Sequence, residues 1–197
     1  MKRRWPFFFL GLCLLFTTAC KGQRPGVGGS ITSSAPPMAP AKTSAGVGAY
    51  FSINEVGLGP DGFVALTNFT DVQASLAGLY LCQGTQCFEL PDQMVAPGET
   101  VRVAVGDGSG LENVVAVHAT LGELRPADGE IALYASPDIH NPEQMLVYLQ
   151  WGSTPHEFTD AAIQAGLWVK GGYAPTSQNA TRLFKVKETG LWLFDER

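Results

Sequence analysis

Phe51-Ser52-Ile53-Asn54-Glu55-Val56 and, beyond the turn residues Gly59-Pro60-Asp61-Gly62, Phe63-Val64-Ala65-Leu66-Thr67-Asn68 decide the fold class. The first stretch largely alternates apolar with polar residues. An extended chain with one buried face must do this, because successive side chains point to opposite sides. Pro-Asp-Gly between the two is turn chemistry. The same pairing of apolar run and turn recurs at Leu79 to Cys82, Thr100 to Val105, Val114 to His118, Ile131 to Tyr134 and Met145 to Trp151. The intervening turns are Ala96-Pro97-Gly98, Gly106-Asp107-Gly108-Ser109-Gly110, Asp128-Gly129 and Ser136-Pro137-Asp138. Leu183 to Val186 and Leu191 to Phe194 form a closing hairpin around Glu188-Thr189-Gly190. Many short strands joined by such turns predict an all-β chain, an antiparallel sandwich or barrel, with residues 50–197 as one domain.

This pattern assigns Ile53, Val56, Phe63, Leu66, Leu76, Leu79, Val101 and Val103 to the core. Phe63 and Leu66 are an odd number of positions apart, so a regular strand sends them to opposite faces. One of them is expected at a sheet edge or beside a bulge. One short helix stands out against the strands. Thr154-Pro155-His156-Glu157 reads as N-cap, first-turn proline and capping-box glutamate, with Phe158, Ala162 and Ala165 on one face and Gly166 as terminator.

The N-terminus reads as an export signal. Lys2, Arg3 and Arg4 precede an apolar run from Trp5 to Phe16, which is shorter than the roughly 20 residues a membrane-spanning helix needs. Thr17-Thr18-Ala19-Cys20 resembles a bacterial lipobox, which implies that residues 1–19 are removed and that Cys20 is acylated. Thr17 stands where that motif usually has Leu, so cleavage after Ala19 without lipid is the alternative. With the lipid, the partner is a membrane, held by two or three acyl chains because one binds only marginally. Residues 20–49 are rich in Gly, Pro, Ser, Thr and Ala. They cannot bury enough surface to offset their ordering entropy, which predicts a flexible tether.

Residues 50–197 contain seven Lys+Arg against 18 Asp+Glu. So acidic a domain lacks the cations that neutralise phosphates, which argues against nucleic acid as a partner. Cys82 and Cys87 flank a Gly-containing turn and are predicted to form a disulfide across a hairpin neck. A half metal site is the competing reading, but no second Cys/His pair stands at ligand spacing.

Ile53-Asn54-Glu55-Val56, Gly62-Phe63-Val64-Ala65-Leu66-Thr67-Asn68, Asp71, Leu76, Gly78-Leu79-Tyr80-Leu81 and the later Ala96-Pro97-Gly98-Glu99-Thr100-Val101-Arg102-Val103 together resemble a lamin tail domain. The order and spacing agree over about residues 51–106 and more thinly to Trp151. Ala65 stands where bacterial members often carry Glu, and Leu79 separates Gly78 from the aromatic Tyr80. The resemblance implies an immunoglobulin-like fold used as an accessory or interaction module, without an active site of its own.

The side chains that carry chemistry agree with that expectation. His118, His140 and His156 share no ligand spacing, and no nucleophile elbow, phosphate loop or dinucleotide fingerprint occurs. Asp107-Gly108-Ser109-Gly110 with Glu112 has the oxygen chemistry of a weak calcium loop but reads more simply as a hairpin turn. Trp151, Trp168, Tyr173 and Trp192 crowd the last third, either as ligand-facing aromatics or as caps on a sandwich core. The expectation is a non-catalytic, membrane-tethered module of the bacterial cell envelope that binds a protein or glycan and needs no metal or cofactor. The alternative is an exported hydrolase with a scattered catalytic site.

Overall fold

The computed structural model describes residues 50–153 and 155–196, and it is an all-β sandwich with one short helix. Residues 1–49, on which the expected signal, the lipidation at Cys20 and the expected tether fall, lie outside the described residues, as do Thr154 and Arg197. Strands β1 (Phe51–Gly57), β2 (Phe63–Asn68), β7 (Thr100–Ala104), β8 (Val114–Ala116), β11 (Ala180–Lys185) and β12 (Trp192–Glu196) make the first sheet, in the order β12-β11-β1-β2-β7-β8. Strands β4 (Tyr80–Gln83), β5 (Gln86–Glu89), β9 (Gly129–Tyr134) and β10 (Met145–Trp151) make the second, in the order β10-β9-β4-β5. The two-residue strands β3 (Ala74–Ser75) and β6 (Met94–Val95) pair with each other. Pairing within the sheets is antiparallel except between β7 and β8, where the strand over Val114–Ala116 runs parallel.

The two sheets enclose one apolar core. Ile53, Val56, Leu66, Leu76, Leu79, Val101 and Val103 are all buried in it, together with Leu81, Ile131, Leu133, Leu149 and Trp151. Phe63 differs from the sequence expectation. Strand β2 is regular, so Val64 and Leu66 point inward, while Phe63 lies half-buried on the outer face with its ring over Gly57. The bulge falls in the neighbouring strand, where the register passes from Ile53–Leu66 to Glu55–Ala65 and leaves Asn54 extra. That inserted residue lets Ile53 and Val56, three positions apart, face the same core.

Along the outer face of the first sheet, Glu55 pairs with Arg102 at 3.4 Å and with Arg182 at 3.0 Å, and Arg182 continues to Asp195. Ala65 lies between Glu55 and Arg102 in register, so the first ion pair crosses above its methyl group. Arg102 stacks over Phe63 and Arg182 over Phe184, with guanidinium-to-ring distances of 5.6 and 5.2 Å. These partly exposed pairs order the face more than they stabilise it, since such pairs are worth about 0–1 kcal/mol each.

Cys82 and Cys87 sit opposite each other across the β4–β5 hairpin with their sulfurs at bonding distance, 2.03 Å. The loop they close is short, so its entropic contribution belongs at the low end, on the order of 2 kcal/mol. Cys87→Ser is expected to lower stability by about that amount in urea unfolding. Non-reducing mass spectrometry of the folded chain should find no free thiol at either position, and two free thiols would refute the bond.

Candidate functional site

Strand β9 is buried along its whole length, so both faces of the second sheet are covered at that point. Ile131 and Leu133 face the central core, while Ala132 and Tyr134 face a second cluster formed with Cys82, Met145, Tyr148, Phe158 and Ala162. The cover is helix α1 (Thr159–Gln164) and the chain around it. Tyr134 meets Phe158 edge-on at 5.5 Å between ring centres.

The helix starts later than the capping-box reading expected. Pro155 to Phe158 form an approach turn, Phe158 takes the cap position without a side-chain cap bond, and the first helical residue is Thr159. The reason is tertiary. The Glu130 carboxyl, projecting from β9, accepts the Phe158 amide at 3.0 Å, and the Thr159 hydroxyl accepts the His156 amide at 2.8 Å. Acceptors supplied by the sheet and the first turn replace the expected Glu157. Phe158 and Ala162 are buried as the periodicity required, and Gly166, with φ of +74°, ends the helix.

Below the helix lies a closed polar cluster. Tyr148 Oη is 2.9 Å from Glu130 Oε2, 2.9 Å from Gln150 Oε1 and 3.2 Å from Thr159 Oγ1. Thr159 donates to Gln150 Oε1 at 2.6 Å, and Gln150 Nε2 donates to the Gly172 carbonyl. Burial raises the Glu130 carboxyl above its ordinary value, opposed by the hydrogen bonds from Tyr148 and the Phe158 amide and by the charge of His156. Burial first, and then the nearby Glu130 charge, push both Tyr134 and Tyr148 upward. The side-chain oxygen of Tyr134 is fully buried and has no hydrogen-bond partner.

The four aromatics named from the sequence do not form one platform. Trp151 is fully enclosed in the central core and donates to the Arg125 carbonyl at 2.8 Å, so it is a packing residue and not a ligand-facing one. Trp192, on β12, is half-buried against the same core. Trp168 is half-buried between the two clusters. It meets Tyr148 edge-on at 5.4 Å and donates to the Gly172 carbonyl at 2.9 Å. Tyr173 is the outward member at 53% exposure, and Val169 in the adjoining turn is 44% exposed. Gly172 O thus receives both Gln150 and Trp168, which fixes the turn that presents Tyr173.

The three histidines stay apart from one another, while His118 lies beside the Asp107 loop, its amide donating to the Gly106 carbonyl at 2.8 Å. His118 and His140 are exposed in separate loops, and His156 is half-buried beside the helix start. Asp107 accepts the Ser109 amide at 2.8 Å in an ordinary turn, and that bond lowers its carboxyl below the usual value. No group of three or more His, Cys, Asp or Glu at metal-binding distance occurs among the described residues. No helix among them is long and apolar enough to cross a membrane. Asn68 spends its side chain on Val72, Val95 and Thr70, closing β2 into its turn.

The sequence reading missed Glu130, Tyr148, Gln150 and Thr159 as a group. The available signal was the unbroken apolar run after Glu130, since a strand buried on both faces carries no alternation. Fold and geometry define, among the described residues, an all-β sandwich with a helix-covered second sheet and outward-facing aromatics on two hydrogen-bonded turns, Phe69 at 59% and Tyr173 at 53% exposure. Comparisons with protein-family models, curated proteins and solved structures returned no match.

Proposed function

We propose that the chain is a non-catalytic binding module of the lamin-tail kind, tethered to a membrane of the bacterial cell envelope through lipid on Cys20, that engages a protein or glycan partner. The observation that carries the binding part is Tyr173. A large amphipathic side chain, 53% exposed, stands on a turn held by two hydrogen bonds to one carbonyl. Fixed aromatics of this type bind at low entropic cost, because little freedom remains to be lost. The polar cluster beside it supports the same reading over a hydrolase. Glu130, Gln150 and Thr159 are 3, 4 and 7% exposed, and a catalytic group must reach its substrate.

Two variants of the full chain test the two halves of this reading. Cys20→Ser should abolish incorporation of labelled fatty acid and move the protein out of the membrane fraction. Equal membrane retention of the variant, with an unlabelled parent, would sink the anchor. Tyr173→Ala should weaken capture of a partner from envelope extracts by about thirtyfold, the effect of losing a hot-spot aromatic worth about 2 kcal/mol. A partner retained at full strength by Tyr173→Ala would place the binding surface elsewhere.

A further inference from the structure

Four oxygens meet under helix α1, and the number of hydrogens available to them decides the state of Glu130. The close contacts are Tyr148–Glu130 (2.9 Å), Tyr148–Gln150 (2.9 Å), Thr159–Gln150 (2.6 Å) and Tyr148–Thr159 (3.2 Å). The Gln150 amide cannot turn to supply a hydrogen here, because its nitrogen is committed to the Gly172 carbonyl. If Glu130 is ionised, only the Tyr148 and Thr159 hydroxyl hydrogens remain, and one of the 2.9 Å contacts sets two lone pairs against each other. If Glu130 is protonated, it donates to Tyr148, Tyr148 donates to Gln150 and Thr159 donates to Gln150. Only the 3.2 Å contact is then left without a hydrogen. The Phe158 amide lies 3.0 Å from the same Oε2 and 3.4 Å from Oε1, so in the protonated state it turns to Oε1, and the chain of bonds ends at Gly172, beside Tyr173.

We propose that protonated Glu130 is a latch that holds the segment 155–173 on the second sheet, and that ionisation of Glu130 releases this segment together with Tyr173. The groups facing Glu130 are Tyr134 from its own strand, Tyr148 from β10, His156 and the Phe158 amide from the helix approach, and the Gly84 amide from the β4–β5 hairpin. The two phenols and two amides carry no charge, and a cationic His156 counters the burial cost. Burial dominates and raises Glu130 above its ordinary 4.5. The sign follows. A carboxyl raised in the closed state holds its proton more tightly closed than open, so the latch is fully engaged below 4.5 and weakens as pH rises through the raised midpoint. Across that interval the opening constant should grow by up to about tenfold per pH unit, and it should level off above it.

The test is amide hydrogen exchange of the full chain from about pH 4 to about pH 8, corrected for intrinsic rates, beside a carbon-13 titration of the Glu130 carboxyl. Amides in 158–172 should lose protection with rising pH in the parent chain and show no pH dependence in Glu130→Gln, while β1 and β2 stay protected throughout. The Glu130 titration midpoint in the parent chain should lie above 4.5. This second readout stands even if Glu130→Gln does not fold. Flat protection in the parent chain, a midpoint at or below 4.5, or equal acceleration in β1 and β2 would each overturn the latch.

Discussion

Trp151→Ala is expected to lower stability by about 3 to 5 kcal/mol, the usual loss for deleting a buried large aromatic. The magnitude belongs at the upper end for two reasons. Trp151 is fully enclosed in the central core, so its whole surface is removed from water, and its indole N–H donates to the Arg125 carbonyl at 2.8 Å. Truncation leaves a cavity between the sheets and removes the hydrogen bond that fixes the indole ring. Single domains hold only about 5 to 15 kcal/mol in total, so the variant should unfold at markedly lower urea concentration, with little change in slope. A midpoint within experimental error of the parent would mean that Trp151 does not occupy the core.

The second large effect is expected at Gly129, directly opposite Trp151 in the β9–β10 pair. A methyl group built there would lie 2.3 Å from Trp151 Cζ2, so the indole lies flat over the glycine. Gly129→Ala should cost about 1 to 3 kcal/mol through overpacking, against the usual preference of strands for any residue over glycine. Gly129 is not among the glycines with positive φ, so the backbone itself accepts alanine. The cause can therefore be isolated. In the Trp151→Ala background the same substitution should be neutral or slightly stabilising, because alanine restricts the unfolded chain and no ring remains to displace. A double-mutant cycle by urea unfolding should return a coupling of at least about 1 kcal/mol. Additive effects would show that the two positions are not in contact.

Much of the first sheet was legible because its strands have one wet face. Alternation in 51–56, the Pro-Asp-Gly turn and the Pro97-Gly98 turn place Ile53, Leu66, Val101 and Val103 without reference to any distant residue. The run Met145 to Trp151 matched its strand at both ends for the same kind of local reason. Cys82 and Cys87 were readable as partners because a hairpin turn puts them opposite each other. These features depend on side-chain period and turn chemistry, and both are properties of a few consecutive residues.

The rest required distant groups to meet. Whether Phe63 or Leu66 faced inward depended on where a bulge fell, and it fell in β1, in a strand whose own alternation had looked nearly regular. The helix start moved from Pro155 to Thr159 because Glu130, from another strand, captured the Phe158 amide. Trp151, Trp168, Tyr173 and Trp192 look equivalent along the chain, yet one is enclosed, two are half-buried and one is outward, since exposure depends on how the sheets and the helix pack around each position. The local sequence therefore determined the strands, the turns and the hairpin bond. The tertiary structure alone decided which polar groups are withdrawn from water and which of the four aromatics faces outward, because burial belongs to the assembled layers and not to any one segment.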